Sequence, residues 1–239
     1  GDNLCGLLKR VLAETDVPRI RLGSLEPWDL PDDFWPLFDN PRLMPHLHLP
    51  LQSGADSVLR RMARRCKTGE FARLVNAGRA ALPALNVTTD IIVGFPGESD
   101  DEWRRTMDFA EQIGFGHLHI FAYSPRAGTR AATMPDQVPN AVKQARSRQL
   151  HELGLRMKGA MLARQIGHEV PLLLEGIASD GQGAFRAAYT PNYLQTRLRN
   201  PDKTQINQIL TARLAGITAC GEALDAVPKQ LKPVHSLSR

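Results

Sequence analysis

The sequence predicts an α/β protein, with a parallel sheet and helical crossovers followed by a small antiparallel β-domain. Three observations carry this. Over residues 1–125, strand-like runs alternate with helical periodicities, the βαβ pattern of parallel sheets with right-handed crossovers. A single long helical stretch follows at 139–165. Beyond it the texture changes to short strands separated by Gly and Asn turns.

Taken in order, Leu4, Leu7, Leu8, Val11 and Leu12 recur at helical spacing and predict an amphipathic helix. Arg19-Ile20-Arg21-Leu22 alternates as a strand. Pro31, followed by Asp32 and Asp33, marks a helix start. His46 to Leu49 is the next strand. Asp56 is placed to cap a helix carrying Val58, Leu59 and Met62, and Thr68 to cap another carrying Phe71, Leu74 and Val75. Val87 to Val93 is an apolar, β-branched run suited to a strand buried on both faces. Ser99 and Glu102 form a capping box, with Asp100 and Asp101 at the positive helix end. His117 to Phe121 is the fourth strand.

Four strands do not close an eight-stranded barrel, so either upstream strands are missing or the sheet is small and open. The unpaired first edge predicts poor solubility of the isolated chain, against which a monodisperse, cooperatively melting monomer would argue. After the long helix, Val170 to Glu175, Phe185 to Tyr189 and Tyr193 to Arg199 are the predicted strands. From Val227 the Lys-, Pro- and Ser-rich tail is expected to be disordered. The expected divisions are 1–138, 139–165, 166–226 and 227–239.

The 239 residues, 42% hydrophobic and 23% charged, suffice for one large domain or two smaller ones. No stretch approaches the roughly 20 apolar residues of a membrane span. No signal segment is visible, so no membrane partner and a cytoplasmic location are expected. The chain opens on Gly1-Asp2-Asn3-Leu4 without Met, as expected of a piece of something longer. Its formal charge of +5 is uneven. Residues 1–125 hold 14 Lys/Arg against 17 Asp/Glu, and residues 126–239 hold 16 against 8. That asymmetry points the second half towards a polyanion, with simple solubility as the alternative. Cys5, Cys66 and Cys220 lie outside metal-ligand spacing of one another and are expected to be three free thiols.

In parallel α/β folds the active site lies at the carboxy-terminal strand ends. All four predicted ends carry polar, glycine-bearing sequence: Gly23 to Pro27, Leu49 to Gly54, Thr89 to Glu98 and Phe121 to Thr129. Gly54, Gly94, Gly97 and Gly128 let backbone approach a ligand. Gln52 and Ser53 offer hydrogen bonds to sugar hydroxyls or an amino-acid carboxylate. Glu26, Asp90 and Glu98 can accept from hydroxyls or an ammonium. Turns and caps explain any one such loop, whereas four together favour a ligand site.

Arg60, Arg61, Arg64, Arg65 and Lys67 form a basic helix end, suited to RNA phosphates or simply to the helix dipole. His46 with His48, and His117 with His119, stand at i, i+2 in strands. Either pair can chelate a metal in principle. With no carboxylate or thiolate flanking them in sequence, pocket-lining or hydrogen-bonded roles are the leading expectation. In the β-domain, Tyr189, Tyr193, Arg186, Arg197, Arg199 and Lys203 set aromatics among cations, the chemistry that holds looped or single-stranded RNA. The alternative is that the tyrosines pack in the core and the cations are solvated.

The strings LGSLEP, HLHLPLQSGAD, TTDIIVGFPGES and FAYSPRAGT, in this order, resemble the later barrel strands of the radical-SAM tRNA methylthiotransferases. The likeness runs from about Val17 to about Arg199. LGSLEP and SPRAGTRAATMPDQVP bring the chain nearest the branch acting on threonylcarbamoyladenosine beside the anticodon. The resemblance implies a partial radical-SAM, TIM-like barrel followed by a TRAM-like RNA-binding β-barrel. It implies S-adenosylmethionine and [4Fe–4S] clusters as cofactors and tRNA as partner, with electron and sulfur donors left open. One cluster would cleave S-adenosylmethionine to a radical that takes a hydrogen from adenine. A second would support sulfur insertion, and another S-adenosylmethionine would supply the methyl group.

Carried over by motif, Gln52 and Ser53 would face the ribose or methionine part of the cofactor, Ile92 and Gly94 its adenine, and Gly54 belongs to the same cofactor-binding set. Glu26, Asp90, Tyr123 and Arg126 would line the cavity beside cofactor and substrate, and Arg186, Tyr189, Tyr193, Arg197 and Arg199 would meet RNA. The family's CxxxCxxC loop, its three further amino-terminal cysteines and its glycine-rich cofactor loop have no counterpart here. No catalytic residue or metal ligand is therefore expected in this chain, which alone would be inactive as a fragment, truncation or relic. Two rivals stand beside this reading. One is a non-catalytic tRNA-binding relic. The other is an α/β-barrel lyase or isomerase using Glu98 and Asp90 as acid and base, which lacks a phosphate-binding glycine loop or a strand-end lysine.

Overall fold

The computed structural model describes residues 3–28, 30–31, 33–199 and 206–229. The chain forms two compact units that meet in sequence at Lys158 and Gly159.

The first unit is built on a parallel sheet of three strands, β1 (His46–His48), β2 (Asn86–Val93) and β3 (His117–Ala122), in that spatial order. The helices are α1 (Leu4–Glu14), α2 (Asp56–Arg61), α3 (Thr68–Ala81), α4 (Asp100–Ile113) and α5 (Asn140–Ala163), the last running on into the second unit. Alternation along the strands sorts their side chains. Leu47, Val87, Ile91, Val93 and Leu118 are buried in one core with Phe71 and Val75 of α3 and Trp103, Phe109, Ala110 and Ile113 of α4. The other face carries His46, His48, Thr88, Asp90, Ile92, His117, His119 and Phe121.

The capping box forms as read. Ser99 Oγ accepts from Glu102 N at 3.2 Å, and Glu102 Oε2 accepts from Ser99 N at 3.0 Å. Gly114, with φ 64°, ends α4 in the left-handed conformation that a side chain resists. Two caps are reassigned. Asp56 is the first residue of α2, and its Oδ1 instead accepts from the Thr68 backbone N–H at 2.8 Å. Thr68 is correspondingly the first residue of α3 rather than its cap.

The predicted first strand, Arg19 to Leu22, is reduced to isolated parallel bridges, Ile20 to Leu43 and Ser24 to His48. Four steps along one segment face five along the other, so the register slips and no continuous ladder forms. After Pro31 the chain makes a 3₁₀ turn, Trp35–Asp39, rather than an α-helix. Pro36 and Pro41 leave room for little more than one turn between them. Asp32 lies outside the described residues.

The second unit is a closed five-stranded barrel, β4 (Glu169–Asp180), β5 (Gly183–Tyr189), β6 (Gln195–Arg199), β7 (Ile209–Ile217) and β8 (Leu224–Pro228), in the order β4-β5-β6-β8-β7. It is not wholly antiparallel, because β6 and β8 run parallel. Leu172, Leu174, Ala188, Leu198, Ala212, Leu214, Leu224 and Ala226 fill it, joined by Met161 and Leu162 from the end of α5. Val227 and Pro228, placed in the tail by sequence, belong to β8. Residues 230–239 lie outside the described part.

Candidate functional site

The non-helical face of the sheet is polar at its centre. The parallel register sets Thr88 beside His48 and Asp90 beside His119. Asp90 Oδ1 lies 3.3 Å from His48 Nε2 and 3.4 Å from His119 Nδ1. The two imidazoles stack, with centroids 5.2 Å apart, and His117 meets His119 edge-on at 4.9 Å. Thr88 Oγ1 is shared between His48 Nδ1 at 3.0 Å and His46 Nε2 at 3.2 Å. Burial, aided by the charge of Arg21, pulls the His46 pKa down to about 4, which keeps that ring neutral. Sequence spacing missed the partner of these histidines because the carboxylate comes from a neighbouring strand.

The strand-end residues divide by what they touch. Gln52 adopts a left-handed φ of 74°. Its N–H donates to Asp90 O at 2.8 Å and its carbonyl accepts from Ile92 N at 2.9 Å, which extends pairing past the end of β1. That kink turns the next residues into the helical layer. Ser53 is fully buried with Oγ 3.2 Å from Thr106 Oγ1 of α4, so its hydroxyl serves packing rather than an open face. A Cβ added to Gly54 would come 2.7 Å from Thr106 Cα, so close helix approach already demands glycine here. Asp90 and Ile92 remain on the open face.

Glu98 is structural as well. Its Oε2 accepts from Gly94 N and from Arg146 Nη1, each at 2.8 Å, with both side chains almost wholly buried. Burial pushes its pKa up while Gly94 and Arg146 oppose the rise. A carboxylate so enclosed is a poor acid or base for the lyase reading. Glu26 faces Arg64 Nη1 at 3.4 Å, and Arg126 is exposed in the loop that closes through Thr129. Tyr123 packs edge-on to Phe95 at 5.3 Å. Of the basic helix end, Arg61 is committed to Glu102 and Arg64 to Glu26, while Arg60 and Arg65 are exposed.

On the barrel, Arg186 is buried, with Nη1 donating to Glu175 O at 2.8 Å, so it is a filler of the interior and not a contact for RNA. Phe185, Tyr189, Arg197 and Arg199 lie on the outer face in register across β5 and β6. Tyr189 and Tyr193 stack at 4.7 Å and 14°. Tyr193, at φ 62°, is held there by its turn, with its N–H donating to Thr190 O at 3.0 Å and Leu194 N–H to Thr190 Oγ1 at 2.9 Å. Arg197 and Arg199 lie over the Phe185 ring and converge on Asp180, at 2.6 and 2.9 Å. Lys203 lies outside the described residues.

A family model described as the radical SAM superfamily matches residues 8–110. The chain belongs to the radical SAM superfamily. Its relatives are tRNA methylthiotransferases. It is 41% identical, over 76% of its length and 42% of the relative's, to a threonylcarbamoyladenosine tRNA methylthiotransferase of Thermotoga maritima. It is 35% identical, over 87% of its length and 40% of the relative's, to a tRNA-2-methylthio-N(6)-dimethylallyladenosine synthase of Oceanobacillus iheyensis. The chain thus spans about two fifths of the length of the curated relatives it matches. Among solved structures, coproporphyrinogen III oxidase from Escherichia coli superposes with a TM-score of 0.52 at 14% identity, covering 92% of this chain and 54% of that one, a likeness of fold alone.

Radical SAM membership implies S-adenosylmethionine and a [4Fe–4S] cluster, whose ligands are thiolates. The thiols of this radical SAM chain do not fit that cluster. Cys5 and Cys66 are buried, with burial raising both and taking Cys66 up to about 11, and Cys220 belongs to the other unit. Among the described residues, the group of three side chains able to hold a metal is His48, Asp90 and His119, with no sulfur in it.

Proposed function

We propose that this chain is the carboxy-terminal part of a cytoplasmic tRNA methylthiotransferase that acts on threonylcarbamoyladenosine beside the anticodon. In this reading S-adenosylmethionine lies along the open sheet face, where Asp90 supplies an acceptor, Ile92 an apolar surface and Gln52 the strained turn that shapes the rim. The barrel takes the RNA, with Tyr193 and Tyr189 offering the stacking surface and Arg197 and Arg199 the charge. Cluster thiolates come from outside this sequence. The observation that carries the reading is the coincidence of family-like strings with the ends of the strands bordering one polar face.

The relic reading keeps one specific support, the poor fit of Cys5, Cys66 and Cys220 to a cluster. One experiment separates the two. Nucleosides from tRNA of cells with and without the gene are compared by mass spectrometry. Loss of the methylthio group from threonylcarbamoyladenosine is expected. Loss from dimethylallyladenosine would move the substrate to the other branch, and unchanged nucleosides would favour the relic.

A further inference from the structure

We propose that His48, Asp90 and His119 form a binding site for a single divalent first-row metal ion, of which Zn²⁺ is the test case. The three donors come from three adjacent strands: Asp90 and His119 are register partners, and His48 lies one same-face step before them, level with Thr88, so parallel pairing holds their spacing. Asp90 Oδ1 stands 3.3 Å from His48 Nε2 and 3.4 Å from His119 Nδ1. Charge-assisted N–H···O bonds run about 2.7–2.9 Å, so these separations are long for direct hydrogen bonds. They match the edge of a tetrahedron around zinc, about 3.3 Å for ligand bonds near 2.0–2.1 Å. All three donor atoms lie within 4.8 Å of one another. His119, with its side chain 48% exposed, can close the remaining gap by rotating.

The surroundings orient the ligands. Thr88 Oγ1 touches both His46 Nε2 and His48 Nδ1 but has one proton to give. When Thr88 Oγ1 gives that proton to His46 Nε2, His48 Nδ1–H donates to Thr88 Oγ1 and the Nε2 lone pair of His48 is left towards the Asp90 carboxylate, 3.3 Å away. Two electron-rich groups then meet, an arrangement that a cation between them stabilises. A metal-bound histidine usually donates its far N–H to an oxygen acceptor, and the Thr88 hydroxyl takes that place here. Two histidines and one carboxylate leave coordination positions open, the pattern of sites where metals bind water or substrate. The inference does not rest on the methylthiotransferase reading, since it needs neither thiolates nor tRNA.

The test is direct titration of the whole chain, stripped by chelator, with Zn²⁺ followed by calorimetry, and with Co²⁺ followed by visible absorption. One equivalent is expected, with the Co²⁺ spectrum of a low-coordinate nitrogen and oxygen site. Asp90→Asn and His119→Ala should each weaken binding by at least about tenfold, and Thr88→Val by about tenfold through loss of the orienting hydroxyl. His151→Ala, on α5, should bind as wild type. In case a variant misfolds, imidazole NMR of the unmodified chain gives a second reading: Zn²⁺ must shift His48 and His119 and leave His151 and His168 in place. Absence of a bound equivalent, binding that survives His119→Ala, or shifts confined to other histidines would overturn the site and leave a polar triad that holds no metal.

Discussion

Glu102 enters as the partner of Ser99 in a capping box, yet most of its bonding lies elsewhere. Arg61 of α2 grips it with two parallel bonds, Nη1 to Oε1 at 2.9 Å and Nη2 to Oε2 at 2.7 Å, and Ser57 adds a hydroxyl. The hydrogen bond from Arg61 is the largest cause holding its pKa at about 2, against an ordinary 4.5. Between those values the native state binds fewer protons than the unfolded one, so the stability Glu102 adds is complete above the ordinary value and lost as pH falls towards about 2. His46 acts in an earlier window. Its pKa, lowered from 6.5 to about 4, makes stability fall as pH drops through that interval. Urea titrations over pH should therefore show two acid limbs. Glu102→Gln is expected to flatten the lower one and His46→Asn the upper. A profile unchanged by both would refute this assignment. The cap was legible from Ser99-x-x-Glu102, but the ion pair was not, because Arg61 is 41 residues away in sequence.

At the scale of elements, local signals were readable and pairings were not. Helices α1, α4 and α5 follow from periodicity, caps and length, and β2 from its β-branched run. Strands β7 and β8 escaped because each depends on a distant partner, β7 on β4 and β8 on β6. The row of His48, Asp90 and His119 escaped for the same reason, being a property of register across three strands. Gly54 shows how one pattern admits two readings. Its glycine suits ligand approach, yet the nearest obstacles to a side chain are the backbone of Thr106 and, at 2.9 Å, Cβ of Phe109. Gly54→Ala should therefore destabilise the ligand-free chain by about 1–3 kcal/mol by forcing α4 from the sheet. Thermal melts measure this. Full stability, with loss of cofactor binding alone, would restore the ligand reading.

At the scale of the molecule, the two units carry separate apolar cores, one around Leu47, Phe71 and Ile91 and one around Leu172 and Leu214. Leu172→Ala, at a fully buried barrel position, should cost about 2–5 kcal/mol and lower the melting of the barrel. Calorimetry should find the transition of the first unit unmoved, and a single transition that shifts as a whole would show that the units melt together.

The uneven charge of the chain meets the barrel surface in the proposed RNA role. The second half holds 16 Lys/Arg against 8 Asp/Glu, yet Arg197 and Arg199 are partly neutralised by Asp180. Charge and stacking are then separable, because Tyr193 contributes a ring and no charge. The logarithm of the tRNA affinity of the whole chain should fall linearly with the logarithm of salt concentration as counterions are released. Tyr193→Ala should lower affinity by about tenfold, within the roughly 1–3 kcal/mol of a stacked base, and leave the salt slope as it was. Filter binding across a salt series gives both quantities. If the slope changed with the tyrosine, the ring would be organising the cations around Asp180 rather than stacking a base. If affinity did not move, the pair of tyrosines would be a structural brace for the turn at Thr190, and the RNA surface would have to lie elsewhere on the chain.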